Sequence, residues 1–278
     1  MDSLALLNRG IRSGATRRIV NALLACFGVA VTCFLAPANA DAQSSTQTMA
    51  NPGVAANPMD EPVRLINEAA QAYAAVQDYT CLFVKREQIQ GRLQPDHLIS
   101  MNVRTRPFEV YLRWLGPANV AGQEVCYVPS KNPGEMRIHA TGVRGAFGFV
   151  SIKIDDPRVA QSSRHPITEA GIGRLIERYQ QRWSAERDLG KTQVRIGEYD
   201  YNRRRCVRVE CTHPDMSSGQ YYAYRTVIYF DKQTRLPIRV ESYDAPRPGG
   251  PPTLDLVESY SYVDLKLNVG LNEAVFNH

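Results

Sequence analysis

The stretch S-S-R-H-P-I-T-E-A-G-I-G, residues 162–173, brings together side chains that could do chemistry. An arginine and a histidine could bind an anion or transfer a proton, and a glutamate could orient the histidine. The two glycines fall inside the helix that the sequence predicts here, whereas a phosphate-binding loop has its glycines before the helix begins. The pattern therefore favours a structural interpretation, in which Pro166 leads into a helix, Thr168 is its N-cap and Glu169 lies in its positive first turn.

The other reactive side chains form none of the common catalytic or metal-binding motifs. None of the five histidines lies in H-E-x-x-H or H-x-x-H, and no serine lies in G-x-S-x-G. Cys206, Cys211 and His213 are close in sequence, but the alternation of a strand places Cys206 on the opposite face from the other two. We therefore predict no catalytic residue, no metal site and no cofactor, and a protein that is not an enzyme.

The first forty residues have the pattern of a secretory signal peptide. A basic leader precedes an apolar run at 19–36, and Pro37 and the small-residue pattern Ala38-Asn39-Ala40 follow. An uncleaved membrane anchor is the alternative, because the apolar run approaches the length of a membrane span. The proline and the small residues favour cleavage near Ala40. The sequence thus predicts signal peptide 1–40, a periplasmic or secreted product, and no transmembrane helix in the mature chain.

Cleavage would change both the charge and the cysteine content. The leader holds four arginines and one aspartate, so its removal would reduce the net charge from +5 to +2. A nearly neutral chain gives little support to nucleic-acid binding. The oxidising compartment permits disulfides, and four cysteines would allow three pairings. Disulfides and buried free thiols both stay open for Cys81, Cys126, Cys206 and Cys211.

Two helices are predicted in a chain that is otherwise rich in strands. Residues 41–60 are polar, small and interrupted by proline, which is typical of a disordered linker. Apolar residues then recur at helical spacing and predict one helix over about 61–77 and a second that follows Pro166 and ends near Gly190. The apolar positions of the second helix are Ile172, Leu175, Ile176, Tyr179 and Trp183.

The remaining segments alternate between apolar and polar residues, as antiparallel strands with one buried face do. In F-E-V-Y-L-R-W-L, for example, the even positions from Phe108 to Trp114 are all apolar. We expect about nine or ten strands, and a sheet of that size curls or splits. The sequence therefore predicts a single α+β domain over 61–278, in which a highly curved antiparallel sheet wraps around two main helices.

Five stretches together resemble a family of exported bacterial proteins, domain of unknown function 1571, over about 65–278. They are D-Y-T-C-L-F-V-K-R-E, P-F-E-V-Y-L-R-W-L-G-P, G-Q-E-V-C-Y-V, S-R-H-P-I-T-E-A-G-I-G-R-L-I and F-D-K-Q-T-R-L-P-I-R-V-E-S-Y-D. The hairpin with L-P-I-R is similar to a wider lipoprotein-carrier superfamily, which includes the LolA and LolB carriers and the sensor domain of RseB. That superfamily implies a half-open β-barrel with helices over an apolar cavity, and its carriers bind acyl chains. The resemblance brings no catalytic residue and names no ligand.

The functional prediction is a non-enzymatic exported protein that binds a lipid or lipoprotein acyl chain in an apolar cavity. The alternative is an envelope sensor or scaffold, similar to RseB, which binds another protein and fills its cavity with its own side chains. Arg164, His165 and Thr168 are expected to join the start of the second helix to the sheet, with Arg164 and His165 as a latch. The predicted lining of the cavity is Ile99, Met101, Val103, Phe108, Leu112, Trp114, Ile172, Leu175 and Ile176.

Overall fold

The computed structural model describes residues 57–246, Gly249 and 253–278, so the predicted signal peptide and nearly all of the predicted linker lie outside the described residues. The helices are α1 (Asp60–Ala74), α2 (Pro157–Ala160) and α3 (Ile172–Leu189). The strands are β1 (Asp78–Ile89), β2 (Arg92–Leu93), β3 (His97–Arg104), β4 (Glu109–Gly116), β5 (Glu124–Tyr127), β6 (Glu135–His139), β7 (Val150–Lys153), β8 (Gln193–Tyr201), β9 (Arg204–Thr212), β10 (Arg225–Asp231), β11 (Pro237–Tyr243) and β12 (Leu256–Leu267).

The strands form one antiparallel sheet in which the first long strand pairs with the last. The order is β7-β6-β5-β4-β3-β1-β12-β11-β10-β9-β8, and β2 pairs with β1. Phe83 in the middle of β1 lies opposite Ile99 of β3 and Tyr262 of β12. The described residues form twelve strands rather than the nine or ten expected. The sequence prediction missed strands such as β2, because two residues are too few to show alternation.

The sheet is strongly curved and stays open. Ile152 of β7 and Tyr262 of β12 line the same cavity, although these strands are six positions apart in the sheet. In a flat sheet six steps would separate them by roughly 29 Å, at about 4.8 Å a step. The edge strands β7 and β8 do not pair with each other. The predicted α+β fold, with a highly curved antiparallel sheet around two main helices, is therefore confirmed.

Helices α1 and α3 pack against each other and against the inner face of the sheet. Trp183 of α3 is completely buried, and its ring lies 6.2 Å from that of Phe230 on β10. Gly173, near the start of α3, faces Tyr73 of α1 so closely that a Cβ atom there would lie 2.5 Å from the tyrosine ring. The absence of a side chain at Gly173 thus lets the two helices approach.

The start of α3 differs from the sequence prediction. Thr168 is not its N-cap, because residues Ile167–Glu169 form a separate single 3-10 turn and the chain is extended again at Ala170. The helix begins at Ile172, whose backbone N–H donates to the buried hydroxyl of Tyr79 at 2.9 Å. A hydroxyl from the sheet, rather than the side chain of Thr168, therefore satisfies a backbone N–H at the start of α3.

The four cysteines of the described residues are free thiols, which answers the question that the sequence left open. Cys81, Cys126, Cys206 and Cys211 are all buried. Burial raises the pKa of Cys126 to about 11, so this thiol is protonated and unreactive at neutral pH. Within the described part of the chain, no helix combines the length and the apolar character needed to cross a membrane.

Replacement of Gly171 tests how closely α3 must approach the sheet. Its φ is +91°, and an added Cβ would lie 2.5 Å from the hydroxyl of Tyr79. We expect Gly171→Ala to lower the free energy of unfolding by about 2 kcal/mol or more, through backbone strain and overpacking. Chemical denaturation measures this. Gly197→Ala is the matched control, since no heavy atom lies within 4 Å of a Cβ there. Equal stability of the two variants would contradict the packing described here.

Candidate functional site

An apolar cavity of about 470 Å³ lies on the inner side of the sheet, beside α3. Strands β1, β3, β4, β5, β6, β7 and β12 contribute to its wall, and α2 and α3 complete it. Strand alternation explains the lining, because side chains two positions apart on a strand point to the same face. Ile99 and Met101 on β3 and Leu112 and Trp114 on β4 follow this spacing and line the cavity.

Five of the nine residues predicted from the sequence as lining lie on the cavity wall: Ile99, Met101, Leu112, Trp114 and Leu175. The structure does not bring the other four there. Val103, Ile172 and Ile176 are buried in the core. Val103 shares the face of Met101, but α3 begins beside it, and a Cβ at Gly171 would lie 3.9 Å from it. The ring of Phe108 packs instead near Tyr127, at 6.1 Å between centroids.

One end of the cavity is polar, which the sequence reasoning missed. The inner face of β1 changes from Phe83 to Lys85 and then to Glu87, and that of β12 changes from Tyr262 to Tyr260 and then to Glu258. The register places Lys85 opposite Tyr260, and Glu87 opposite Glu258. The same parity that marks Phe83 as inward marks these charged residues as inward, so strand alternation was the signal that could have found them.

Glu258 is the acid at this polar end with the most hydrogen-bonding partners. It is 2% exposed. Its carboxylate lies 2.9 Å from His165 Nε2 and accepts hydrogen bonds from the hydroxyls of Tyr222, at 2.8 Å, and Ser242, at 3.1 Å. The Arg164 guanidinium lies 3.4 Å away. A buried carboxylate with this many donors is held ionised.

The pKa values of the polar end follow from these contacts. Burial would raise the pKa of Glu258, but the hydrogen bonds from His165 and Tyr222 and the charge of Arg164 outweigh burial and lower the pKa from 4.5 to about 2. Burial and the charge of Glu258 raise the pKa of Tyr222 to about 12. Burial, Glu258 and Glu87 together raise the pKa of Tyr260 far above its usual range. Both tyrosines are therefore hydrogen-bond donors at neutral pH.

Glu87, which is 3% exposed, accepts its hydrogen bonds from a different set of donors. It accepts from the hydroxyl of Tyr260 at 2.5 Å and from Lys85 Nζ at 3.0 Å. The backbone N–H of Arg164 also donates to it, at 3.3 Å. Lys85 donates in addition to the hydroxyl of Ser163, at 3.1 Å. The segment before α3 thus reaches both buried acids.

Arg164 and His165 connect this segment to the sheet. The Arg164 guanidinium donates to the backbone carbonyl of Gln88 on β1 at 3.3 Å and to the hydroxyl of Tyr222 at 3.4 Å. His165 lies between Glu258 on β12 and Glu169, with its Nδ1 3.0 Å from the Glu169 carboxylate. These contacts tie the start of α3 to two neighbouring strands. Among the described residues, no group of three or more His, Cys, Asp or Glu side chains is arranged to hold a metal ion.

Residues 76–278 match the family described as protein of unknown function DUF1571. The chain belongs to the DUF1571 family. The fold expected from that resemblance is the one described above. No curated protein matches this sequence.

The solved structures to which this DUF1571 protein is similar share little sequence with it. A DUF1329 family protein from Desulfovibrio piger is 16% identical, with 80% of this chain and 98% of that chain covered and a TM-score of 0.37. The lipoprotein LppX from Mycobacterium tuberculosis is 10% identical, with 77% and 98% covered and a TM-score of 0.42. A LolA superfamily protein from Nitrosomonas europaea is 11% identical, with 77% and 96% covered and a TM-score of 0.30.

The depressed pKa of Glu258 predicts how stability depends on pH. The pKa is 4.5 without these contacts and about 2 in the fold, so the ionised group stabilises the fold above pH 4.5 and this contribution is lost as the pH falls towards 2. We expect Glu258→Gln to lower the free energy of unfolding at pH 7 by roughly 3 kcal/mol. The difference from the wild type should shrink steadily below pH 4.5.

Denaturation at several pH values measures this difference. Glu177→Gln is the control, because its side chain is 56% exposed and pairs with Arg174 at the surface. Its effect should be within about 0.5 kcal/mol at every pH. A pH-independent difference for Glu258→Gln would contradict the role given to its charge.

Proposed function

We propose that the protein binds a hydrophobic ligand, a lipid or a lipoprotein acyl chain, in the 470 Å³ cavity and that it performs no catalysis. The observation that supports this proposal is a cavity with an apolar wall that reaches solvent. Its volume lies in the range of roughly 300–1,000 Å³ that is usual for small-ligand pockets. Each methylene group that leaves water for such a wall contributes about 0.8 kcal/mol.

The proposed place of action is the periplasm or the outside of the cell. The basic leader, the apolar run at 19–36 and the Ala38-Asn39-Ala40 pattern support export. A protein that carries lipid chains through water needs a site that shields the acyl chains from water. A cavity of the kind described here provides such shielding.

Arg164 and His165 are proposed to act as a latch that restricts the opening of the cavity. A second pocket of about 400 Å³ lies beside the first, and Val159, Ser163 and His165 line both. The segment from α2 to His165 therefore separates the two spaces. Release of the contacts from Arg164 and His165 to Glu87 and Glu258 would let this segment move and widen the opening.

Filling the cavity with a larger side chain tests the site. We expect Leu112→Trp to reduce binding of N-phenylnaphthylamine, an uncharged apolar fluorophore, by tenfold or more, because the indole would occupy the space of the ligand. The matched control is Leu115→Trp on the same strand, since Leu115 is 55% exposed and does not line the cavity. Fluorescence titration gives both dissociation constants.

Mass spectrometry of organic extracts then shows whether the purified protein carries lipid. The proposal fails if the wild type binds no fluorophore and carries no lipid. It also fails if Leu112→Trp and Leu115→Trp bind the fluorophore equally well. A protein without lipid that captures an envelope protein would favour the sensor or scaffold instead.

Removal of the Arg164 guanidinium tests the latch. We expect Arg164→Met to speed release of the bound fluorophore by about tenfold, since hydrogen bonds to charged groups would be lost. Arg86→Met is the control, because Arg86 is exposed on β1 next to Glu87. Stopped-flow competition gives the release rates and thermal denaturation gives Tm. A lower Tm with an unchanged release rate would show that Arg164 only anchors the start of α3.

A further inference from the structure

The cavity wall formed by α3 changes from apolar to cationic within about one turn. Leu175 and Arg178 are three positions apart, so they share a face of the helix, and both line the cavity. The side chain of Arg178 is 16% exposed. A guanidinium is thus largely buried at the point where the apolar wall meets the polar end.

The contacts of Arg178 leave most of its hydrogen-bonding capacity unused. Within the described residues, the one carboxylate inside 4.0 Å of its guanidinium is that of Glu169, at 3.7 Å. Its Nη1 lies 3.1 Å from both ring nitrogens of His165. Nε2 of that ring must donate to Glu258, so Nδ1 alone could accept from Arg178, and Nδ1 also lies 3.0 Å from Glu169. An arginine has five N–H donors, of which other protein groups satisfy at most one here.

The other charged groups at this end of the cavity are already paired. Lys85 contacts Glu87 and Ser163, and Glu87 also accepts from Tyr260. Glu258 has His165, Tyr222 and Ser242 as hydrogen-bonding partners and the Arg164 guanidinium beside it. Buried charges in proteins are as a rule paired. Arg178 has the longest ion pair of these groups, at 3.7 Å from the half-exposed Glu169, and it borders the space of the ligand.

We infer that the ligand is an amphiphile with an anionic headgroup, a carboxylate or a phosphate, which accepts hydrogen bonds from the guanidinium of Arg178 while the chain lies against Met101, Leu112 and Leu175. This inference rests on the proposed function. Carboxylate and phosphate oxygens match the fork of an arginine and can accept two parallel hydrogen bonds. The water-poor apolar wall strengthens such an ion pair relative to one at the surface.

Three probes with the same sixteen-carbon chain separate the headgroup from the chain: palmitate, hexadecyl phosphate and hexadecanol. We expect the wild-type protein to bind at least one of the two anions about tenfold or more tightly than the alcohol. Competition against N-phenylnaphthylamine, below the concentration at which each probe forms micelles, gives the dissociation constants. The anion that binds more tightly identifies the headgroup as a carboxylate or a phosphate.

Variants at Arg178 assign the preference to this side chain. Arg178→Met should bring the affinity for the anions down to that for hexadecanol and leave the alcohol unchanged, and Arg178→Lys should keep part of the preference. Arg174→Met is the matched control one turn away on α3, because Arg174 does not line the cavity and its guanidinium lies over Phe108. It should retain the full preference.

Equal affinity of the wild type for all three probes would overturn the inference and leave the proposed function intact. A preference that survives in Arg178→Met would overturn it as well. If the Arg178 variants do not fold, the wild-type comparison still tests the anionic headgroup, because equal affinities for the three probes would overturn it. Failure of all three probes and of the fluorophore to bind would instead count against the proposed function.

Discussion

Glu87 and Glu258 lie opposite each other on adjacent strands, and both are almost completely buried. Two carboxylates in this position repel each other and lose their hydration, so the fold must bring donors to them. The donors come from five parts of the chain: Lys85 on β1, Tyr260 on β12, Ser242 on β11, Tyr222 in the loop before β10, and Arg164 and His165 before α3. The requirement to neutralise this pair fixes the position of the segment that separates the two pockets.

The inner side of the sheet is divided between core and cavity. Where α1 and α3 cover it, large side chains such as Trp183 and Ile176 are fully buried. On the side of α3 that carries Leu175 and Arg178, the helix does not fill the curve, and the strands from β3 to β7 face an open space. The close approach of α3 at Gly171 and Gly173 sets where this boundary falls, because it holds the start of the helix against Tyr79 and Tyr73. A larger residue at either position would move the helix and with it the wall of the cavity.

The period of the apolar residues was enough to predict the fold class, since helical and strand spacing are local properties of the sequence. It also placed Ile99, Met101, Leu112, Trp114 and Leu175 on the inner side, where they line the cavity. It could not separate them from Val103, Ile172 and Ile176, because packed core and cavity wall carry the same apolar side chains. The difference depends on where α3 begins, and that depends on a contact with Tyr79, 93 residues earlier in the chain. The pairing of Glu87 with Glu258 was hidden for the same reason: their proximity comes from the register of β1 and β12.

The pairing of β1 with β12 has a consequence for how the chain acquires its structure. The hydroxyl of Tyr260 reaches Glu87 across 173 positions of sequence, so β1 keeps an unpaired edge until nearly the whole chain is available. Contacts of such large sequence separation form slowly, because the entropy of closing the intervening loop is lost first. We therefore expect the hairpins from β3 to β7 and from β8 to β11 to form early, and the cavity with its charged end to form in the last step. Until then an open strand edge and apolar side chains are exposed together, and this is the combination that favours aggregation of incompletely folded chains.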